Sequence, residues 1–317
     1  MTSSSNASNA TAVFHYRDTA SSAVTKNVIL LALGVVINYI NSTLIHTFRK
    51  HQIFYLTPRY ILFIHLVIND MIQLTTTISL FFSSYIFYSI NVSVCCLIIT
   101  LALFTTSNTP LNLAVMAVEC FIAICFPLRH NELCTIKRTY ILIGCIWALS
   151  SISIGMDIFI AVATEPLSWF YSKLLCERNV VFRHPLSTKS YEISSIIYLT
   201  GVWITIFYTY LHIIFAAKAA KAQKSHSDTN KARNTILLHS FQLSLCMLTY
   251  LHNHITHTLL SWFPKYYVHV MFVCFIFIQI LPRLISPIVY GLRDKTFKQY
   301  LKKYLLCTVR GGQSMDF

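Results

Sequence analysis

The 317-residue chain is too apolar for a soluble protein of its length. Only 11% of its residues are charged and 55% are hydrophobic, and its mean hydropathy is +0.59. A soluble domain carries about 25% charged residues. The composition therefore excludes a soluble protein. The formal net charge of +14 belongs to a membrane protein.

Seven apolar stretches follow one another along the chain. A helix needs about 20 residues to cross a hydrocarbon core of about 30 Å, and lipid cannot satisfy the backbone of an open strand. The sequence therefore predicts an all-α membrane protein with a seven-transmembrane helix bundle. The predicted spans are 26–47, 60–88, 93–125, 139–163, 192–217, 235–262 and 266–291.

The segments that flank the spans differ from them in composition. Residues 1–25 are polar and lack the apolar core of a cleavable signal peptide, so they are predicted to form an extracellular, glycosylated N-terminus. Residues 26–291 are predicted to form the helix bundle. Residues 292–317 place apolar residues and lysines at helical spacing, which predicts a short amphipathic eighth helix followed by a cytoplasmic tail.

The distribution of basic residues predicts the orientation. With the N-terminus outside, seventeen of the 25 Lys and Arg residues lie in inner loops and the tail, and seven lie in outer segments. This asymmetry, together with attraction to anionic lipid, accounts for the basic charge without nucleic acid as a partner. Glycosylation acceptors at Asn6 and Asn9 agree with an extracellular N-terminus. We expect a multi-pass protein of the plasma membrane.

Two of the ten cysteines are predicted to face an oxidising compartment. Cys95 begins the third span, and Cys176 lies in the long connection between the fourth and fifth spans. Cys96 competes with Cys95 as the partner of Cys176, so spacing alone leaves the pairing open.

The strongest motif is a fifteen-residue run at the inner end of the third span. Residues 116–130 read MAVECFIAICFPLRH. This run resembles the MA-x-E-R-Y-x-A-I-C-x-P-L-R-H sequence of odorant receptors, a branch of the rhodopsin-like (class A) G-protein-coupled receptors. The whole chain is similar to the fish type of odorant receptor.

Shorter matches lie in the other spans. At the start of the second span, Pro58-Arg59-Tyr60 stands where the family has a P-M-Y-like sequence. The remaining matches are Gly34 and Asn38 (G-x-x-x-N), Asp70 (L-x-x-x-D), Trp147, Tyr210 (S-Y-x-x-I), Lys231 and Arg233 (K-A-x-x-T-C-x-x-H), and Pro287 and Tyr290 (N-P-x-x-Y).

The resemblance implies a receptor, not an enzyme, that binds a small-molecule odorant and activates a heterotrimeric G protein. It implies a Cys95–Cys176 disulfide, because Cys95 lies 25 residues before residue 120, as in the class. No cofactor is implied except a sodium ion near Asp70. The implied residues of the switch and of G-protein coupling are Asp70, Glu119, Cys120, Tyr210, Lys231, Arg233, Pro287 and Tyr290.

Two departures from the family pattern affect the switch. Relatives have Arg after Glu119, and this Arg pairs with acid at rest and reaches the G protein when active; here the position is Cys120. A neutral thiol does neither, so a signalling-impaired receptor is the alternative hypothesis. Ser286 replaces the Asn of N-P-x-x-Y, which weakens the sodium site. Asp70, with Asn38 and Ser286 as expected neighbours, is otherwise a hydrogen-bonded structural carboxyl.

Polar groups recur at spacings of three and four in the outer halves of several spans, which keeps each set on one helix face. A mostly apolar cavity with a few such groups suits a small odorant. Ala102 stands where amine receptors have Asp, so monoamines are poor candidates. The predicted ligand contacts are Ala102, Leu103, Thr106, Ser107, Ser194, Tyr198, Tyr250, His254, Thr258 and Gln279.

Other interpretations remain for some of these residues. His252, His254 and His257 have a spacing that permits metal binding, although hydrogen-bonding histidines at a helix end explain them as well. Asp157 either meets the ligand or pairs within the bundle. A transporter predicts broken helices in pairs or several charges at mid-membrane depth, and an enzyme predicts a catalytic motif; neither pattern is found in the sequence.

Overall fold

The structure is a computed structural model. It describes residues 20–86, 89–174, 176–222 and 266–285, together with residues 241, 244–245, 248, 251, 255–256 and 258–263.

Long helices account for most of the described chain. Short helical turns at Gln52–Phe54, Pro127–Arg129, His130–Leu133, Leu167–Phe170 and Arg178–Val181 connect them. The long helices are α1 (Ala20–Lys50), α2 (Pro58–Ile86), α3 (Val92–Cys125), α4 (Ile136–Thr164) and α5 (Pro185–Ala222). Within the predicted seventh span, α6 (Tyr267–Cys274) continues into a π-helical turn at Phe275–Ile280.

Several helix starts follow from local sequence. Asn91 caps α3 by accepting a hydrogen bond from the Ser93 amide, and the Thr135 hydroxyl accepts one from the Arg138 amide at the start of α4. Proline opens α2 and α5, where its fixed φ suits the first helical turn and its missing N–H costs nothing.

The start of α5 differs from the prediction. The fifth span was expected to begin at residue 192, but α5 begins at Pro185. Residues 185–191 are mostly polar, so an apolar run does not mark them. The buried Ser187 hydroxyl donates to Asp157 Oδ1 on α4 at 2.6 Å, and this contact anchors the polar turn against the bundle.

Six helices of the described chain are long and apolar enough to cross a membrane, at Ser21–Lys50, Pro58–Ser83, Val92–Cys125, Ile136–Thr164, Pro185–Ala216 and Val268–Ile285. They coincide with six of the seven predicted spans. The predicted sixth span is described only in part, and the predicted eighth helix lies outside the described residues. The prediction of an all-α membrane protein is confirmed.

The main core lies where α2, α3 and α5 meet. Leu66 and Val67 of α2 pack with Leu113 and Met116 of α3, and Ile206 of α5 belongs to the same buried cluster. This packing fixes the three helices on which most of the functional residues described below are placed.

A two-stranded antiparallel sheet marks one end of the bundle. Strand β1 (Ile90–Asn91) pairs with β2 (Lys173–Leu174), so that Ile90 lies opposite Leu174. Cys95 and Cys176 are at this end, which is called the disulfide end below. The end that carries Glu119, Cys120 and His130 is called the Glu119 end.

Candidate ligand and signalling sites

A disulfide fixes the connection between α4 and α5 to α3. Cys95 and Cys176 are joined, with their Cα atoms 5.5 Å apart and a sequence separation of 81. Cys96, the competing partner in the sequence, is a free thiol. The bridge and the β1–β2 pair together hold this connection against the start of α3.

A buried ion pair holds the same connection against α4. Asp157 is 1% exposed. Its Oδ2 lies 3.0 Å from Nη2 of Arg178, and its Oδ1 accepts the Ser187 hydroxyl. The Arg178 guanidinium also lies over the Tyr191 ring at 4.0 Å. Of the two alternatives for Asp157, the structure therefore has the acid paired within the protein, through a loop residue that sequence reasoning missed.

A second ion pair lies further out on this connection. Arg183 Nε donates to Glu165 Oε1 at 2.8 Å, and a second hydrogen bond joins Arg183 to Glu165 Oε2. Arg183 also lies over the Trp169 ring at 3.9 Å. The hydrogen bond from Arg183 holds the pKa of Glu165 below its ordinary value. The pairing stabilises the loop above the ordinary carboxyl pKa and is lost as the pH falls through the lowered value.

A polar layer joins α2 and α3 inside the bundle. Asn69 Nδ2 donates to the Thr105 carbonyl at 2.7 Å and to the Thr109 hydroxyl at 3.0 Å, while Asn108 Nδ2 donates to Asn69 Oδ1 at 3.4 Å. These buried hydrogen bonds join the two helices and stabilise their register.

The predicted ligand contact Thr106 is part of this layer. Gln73 Nε2 donates to the Thr106 hydroxyl at 2.6 Å, and that hydroxyl donates to the Ala102 carbonyl. Gln73 is 2% exposed and was missed by sequence reasoning, although it lies one helical turn from Asp70 on the same helix. Leu103 packs against the buried cluster around Cys95 and Phe182, so it lies close to the disulfide.

The other predicted ligand contacts differ in their burial and in their hydrogen-bond partners. The Tyr198 hydroxyl donates to the Leu149 carbonyl of α4 at 2.6 Å, which directs it toward the α4–α5 contact. Ser107, Ser194 and Gln279 are half-buried, and Thr258 is exposed. Tyr250 and His254 lie outside the described residues, as do His252 and His257.

A tryptophan bridges α4 to α2. Trp147 Nε1 donates to His65 Nε2 at 2.8 Å, and His65 Nδ1 lies 3.2 Å from Asn112 Oδ1. Because Nε2 accepts a hydrogen bond, the proton of a neutral ring is on Nδ1, which then donates to Asn112. The network fixes the predicted family tryptophan in place.

At the Glu119 end, a nearly buried carboxylate meets two basic side chains. Glu119 Oε1 lies 3.1 Å from His130 Nε2, and Oε2 lies 3.8 Å from Arg59 Nε. Cys120 is 3% exposed and packs with Ile213, Phe121 and Tyr210. Three segments therefore meet at this carboxylate: the start of α2, the end of α3 and the loop that follows it.

A cavity of about 340 Å³ adjoins this carboxylate between α2, α3, α4 and α5. Its walls are mostly apolar, with Glu119 and Arg138 at one end. Cys134, in the loop outside the spans, also lines it, and burial raises the pKa of its thiol, as does the nearby Glu119 charge. None of the eight predicted ligand contacts within the described residues lines this cavity.

Asp70, where a sodium ion is predicted, is buried inside the helix bundle. Asp70 is 2% exposed, and Asn38, its expected neighbour, donates to the Thr75 hydroxyl at 3.3 Å. The sodium ion near Asp70 stays a prediction.

Four predicted switch residues, Lys231, Arg233, Pro287 and Tyr290, lie outside the described residues, as do Ser286 and the glycosylation acceptors Asn6 and Asn9. Among the described residues, no group of three or more His, Cys, Asp or Glu side chains is arranged to hold a metal ion.

The spans, the bridged α4–α5 connection and the polar layer between α2 and α3 define a multi-spanning helical membrane protein with two differentiated ends. Residues 40–290 match the family model described as 7 transmembrane receptor (rhodopsin family). The chain belongs to this family of rhodopsin-like receptors.

Within this family, the chain is similar in sequence to two receptors of odorants. It is 32% identical over 285 residues to zebrafish (Danio rerio) "Odorant receptor 131-2", and the match covers 90% of this chain and 87% of that protein. It is 36% identical over 110 residues to human "Olfactory receptor 2AG2", and this match covers 34% of each chain. The resemblance to odorant receptors is therefore confirmed, as is the expectation of a receptor and not an enzyme.

Proposed function

We propose that the protein is an odorant receptor of the plasma membrane. It binds a small-molecule odorant in the half of the bundle near the disulfide end and activates a heterotrimeric G protein at the Glu119 end. The observation that carries this proposal is the 32% identity to an odorant receptor over 90% of the chain.

The charge of the two ends supports an extracellular disulfide end. Basic residues that attract anionic lipid collect at the other end, where the inner loops are proposed to lie. There they include Arg49, Lys50, Arg59, Arg129, Lys137 and Arg138. A disulfide also needs an oxidising compartment to persist, which agrees with this orientation.

The Gln73–Thr106 pair supports a ligand site next to the polar layer. It places a hydrogen-bonded amide and hydroxyl between α2 and α3, on the same stretch of α3 as Ala102 and Leu103. An odorant with one polar group would exchange hydrogen bonds with this pair while its apolar part contacts the surrounding side chains.

Replacing Thr106, Tyr198 or His254 with alanine is expected to shift odorant potency or selectivity while surface density stays the same. The largest shift is expected for Thr106→Ala, about tenfold, because it removes a hydrogen bond worth about 1 to 1.5 kcal/mol. Thr43→Ala is the matched control, since the Thr43 hydroxyl bonds to the Tyr39 carbonyl within α1. Unchanged dose–response curves for all three variants would place the ligand site elsewhere.

A receptor that binds odorant without signalling is the second candidate. It is favoured by Cys120, a buried neutral thiol where related receptors carry Arg. Nucleotide exchange on co-expressed G protein separates the two candidates, because only a coupling receptor accelerates exchange when odorant is added.

A further inference from the structure

Within the matching Pro58-Arg59-Tyr60 start of the second span, Arg59 stands in place of the family Met, and it lies in contact with Cys120. Relatives carry a P-M-Y-like sequence at the start of the second span and Arg after the acid of the third. This chain has Arg59 at the first position and Cys120 at the second. Arg59 Nη2 lies 4.0 Å from Cys120 Sγ, within the range of a hydrogen bond to sulfur. Relative to the family pattern, this chain therefore carries an arginine on the first turn of α2 and none after the acid of α3.

The Arg59 guanidinium is directed at Glu119, which is followed by Cys120 where the family pattern has Arg. Its Nε lies 3.8 Å from Glu119 Oε2. The Glu119 side chain is 9% exposed, while that of Arg59 is 35% exposed. The cation thus approaches the buried acid from a more accessible position, and the other carboxylate oxygen faces His130.

A carboxylate so deeply buried at the end of a membrane helix is costly unless it is paired. Cys120 carries no charge and cannot pair with it. Arg59 supplies a permanent positive charge, since guanidinium stays protonated throughout the physiological range. The contact also joins α2 to α3 and, through His130, to the loop that follows α3.

We propose that Arg59 is a positioning residue that takes over, from α2, the resting counter-charge that Arg after the acid supplies in related receptors. Arg59 pairs with Glu119 and, with His130, holds the loop at 126–135 against α2 and α3. Loss of the pair frees this loop, the proposed docking surface for the G protein, and shifts the resting equilibrium toward the active state. The inference rests on the proposed function.

Arg59→Met restores the family residue type and removes the counter-charge. We expect it to raise odorant-free nucleotide exchange about fivefold at equal surface density, which is the lower end of typical coupling between sites. Arg59→Lys keeps the charge and should stay closer to wild type. Arg59→Met combined with Cys120→Arg moves the arginine back to α3 and should return basal exchange toward wild type. Arg49→Met is the control, because Arg49 is an exposed arginine at the end of α1.

Thermal unfolding of the purified receptor gives a readout independent of odorant and G protein. Arg59→Met should lower Tm relative to Arg49→Met, and the double variant should recover part of the loss. If no variant exchanges nucleotide under any condition, the proposed function fails, while this recovery still tests the pairing. If Arg59→Met does not reach the surface, recovery of surface density by the double variant supports the proposal, and equal loss in both contradicts it.

The proposal is overturned if Arg59→Met matches Arg49→Met in basal exchange and in Tm. It is also overturned if adding Cys120→Arg to Arg59→Met moves neither quantity toward wild type. Either outcome would leave Arg59 as a charge that only sets membrane orientation.

Discussion

Replacing Cys176 with alanine is expected to remove most of the surface-expressed receptor and its odorant response. The Cys95–Cys176 bridge closes a long loop, with a sequence separation of 81. In the chain-entropy account, closing a loop of this size stabilises the fold by about 4 kcal/mol. The bridge also holds the α4–α5 connection at the disulfide end, so its loss should misplace Arg178 and Arg183, which pair with Asp157 and Glu165.

The matched control is Cys96→Ala, which removes a free thiol next to the bridge. It should leave surface density near wild type. Surface labelling and mass mapping of disulfide-linked peptides provide the measurements. Peptide maps in which Cys176 is free, or is joined to Cys96, would contradict the pairing.

Replacing Cys120 with arginine is expected to raise odorant-stimulated nucleotide exchange much more than it changes odorant affinity. The new guanidinium would lie at the Glu119 end, where the G protein is proposed to bind, whereas the Gln73–Thr106 pair lies more than three turns away along α3. An agonist shifts the equilibrium between the resting and active states only through its differential affinity for the active state. A contact made with the G protein alone therefore changes nucleotide exchange more than it changes odorant affinity.

The size of this gain should depend on residue 59. With Arg59 in place, Cys120→Arg sets two guanidinium groups beside one carboxylate, because Arg59 Nη2 already lies 4.0 Å from the Cys120 sulfur. The gain in maximal exchange should therefore be larger when Met replaces Arg59. Paired measurements of odorant binding and G-protein exchange at equal surface density provide the test. Equal maximal exchange in the wild-type receptor and the Cys120→Arg variant would mean that the basic loops already supply the docking contact.

The spans were predictable because bilayer thickness sets the length of an apolar run. Spans predicted at 93–125 and 139–163 appear as α3 (Val92–Cys125) and α4 (Ile136–Thr164). The start of α5 was missed for a physical reason. Residues 185–191 are polar, and the partner that anchors them, Asp157, belongs to another helix.

The candidate sites were less predictable, because they depend on partners that are distant in sequence. Asp157 is separated from Arg178 by 21 positions and by a disulfide-linked loop. Gln73 and Thr106 meet across two helices. Cys120 is visible in the sequence as a departure from the family pattern, but only the packing of α2 against α3 shows that Arg59 lies beside it. Helical spacing also does not predict that the Tyr198 hydroxyl donates to the Leu149 carbonyl of α4.

We propose that an odorant bound near the disulfide end drives G-protein activation at the Glu119 end. The most direct test is nucleotide exchange by co-expressed heterotrimeric G protein in membranes that hold the wild-type receptor, measured across a panel of small odorants. Thermal-shift measurements on the purified receptor report binding of the same compounds independently. We predict at least one odorant that both raises Tm and accelerates exchange several-fold above the odorant-free rate, with the exchange response lost in Cys176→Ala. Odorants that bind and raise Tm while exchange stays at its basal rate with every G-protein class would contradict it.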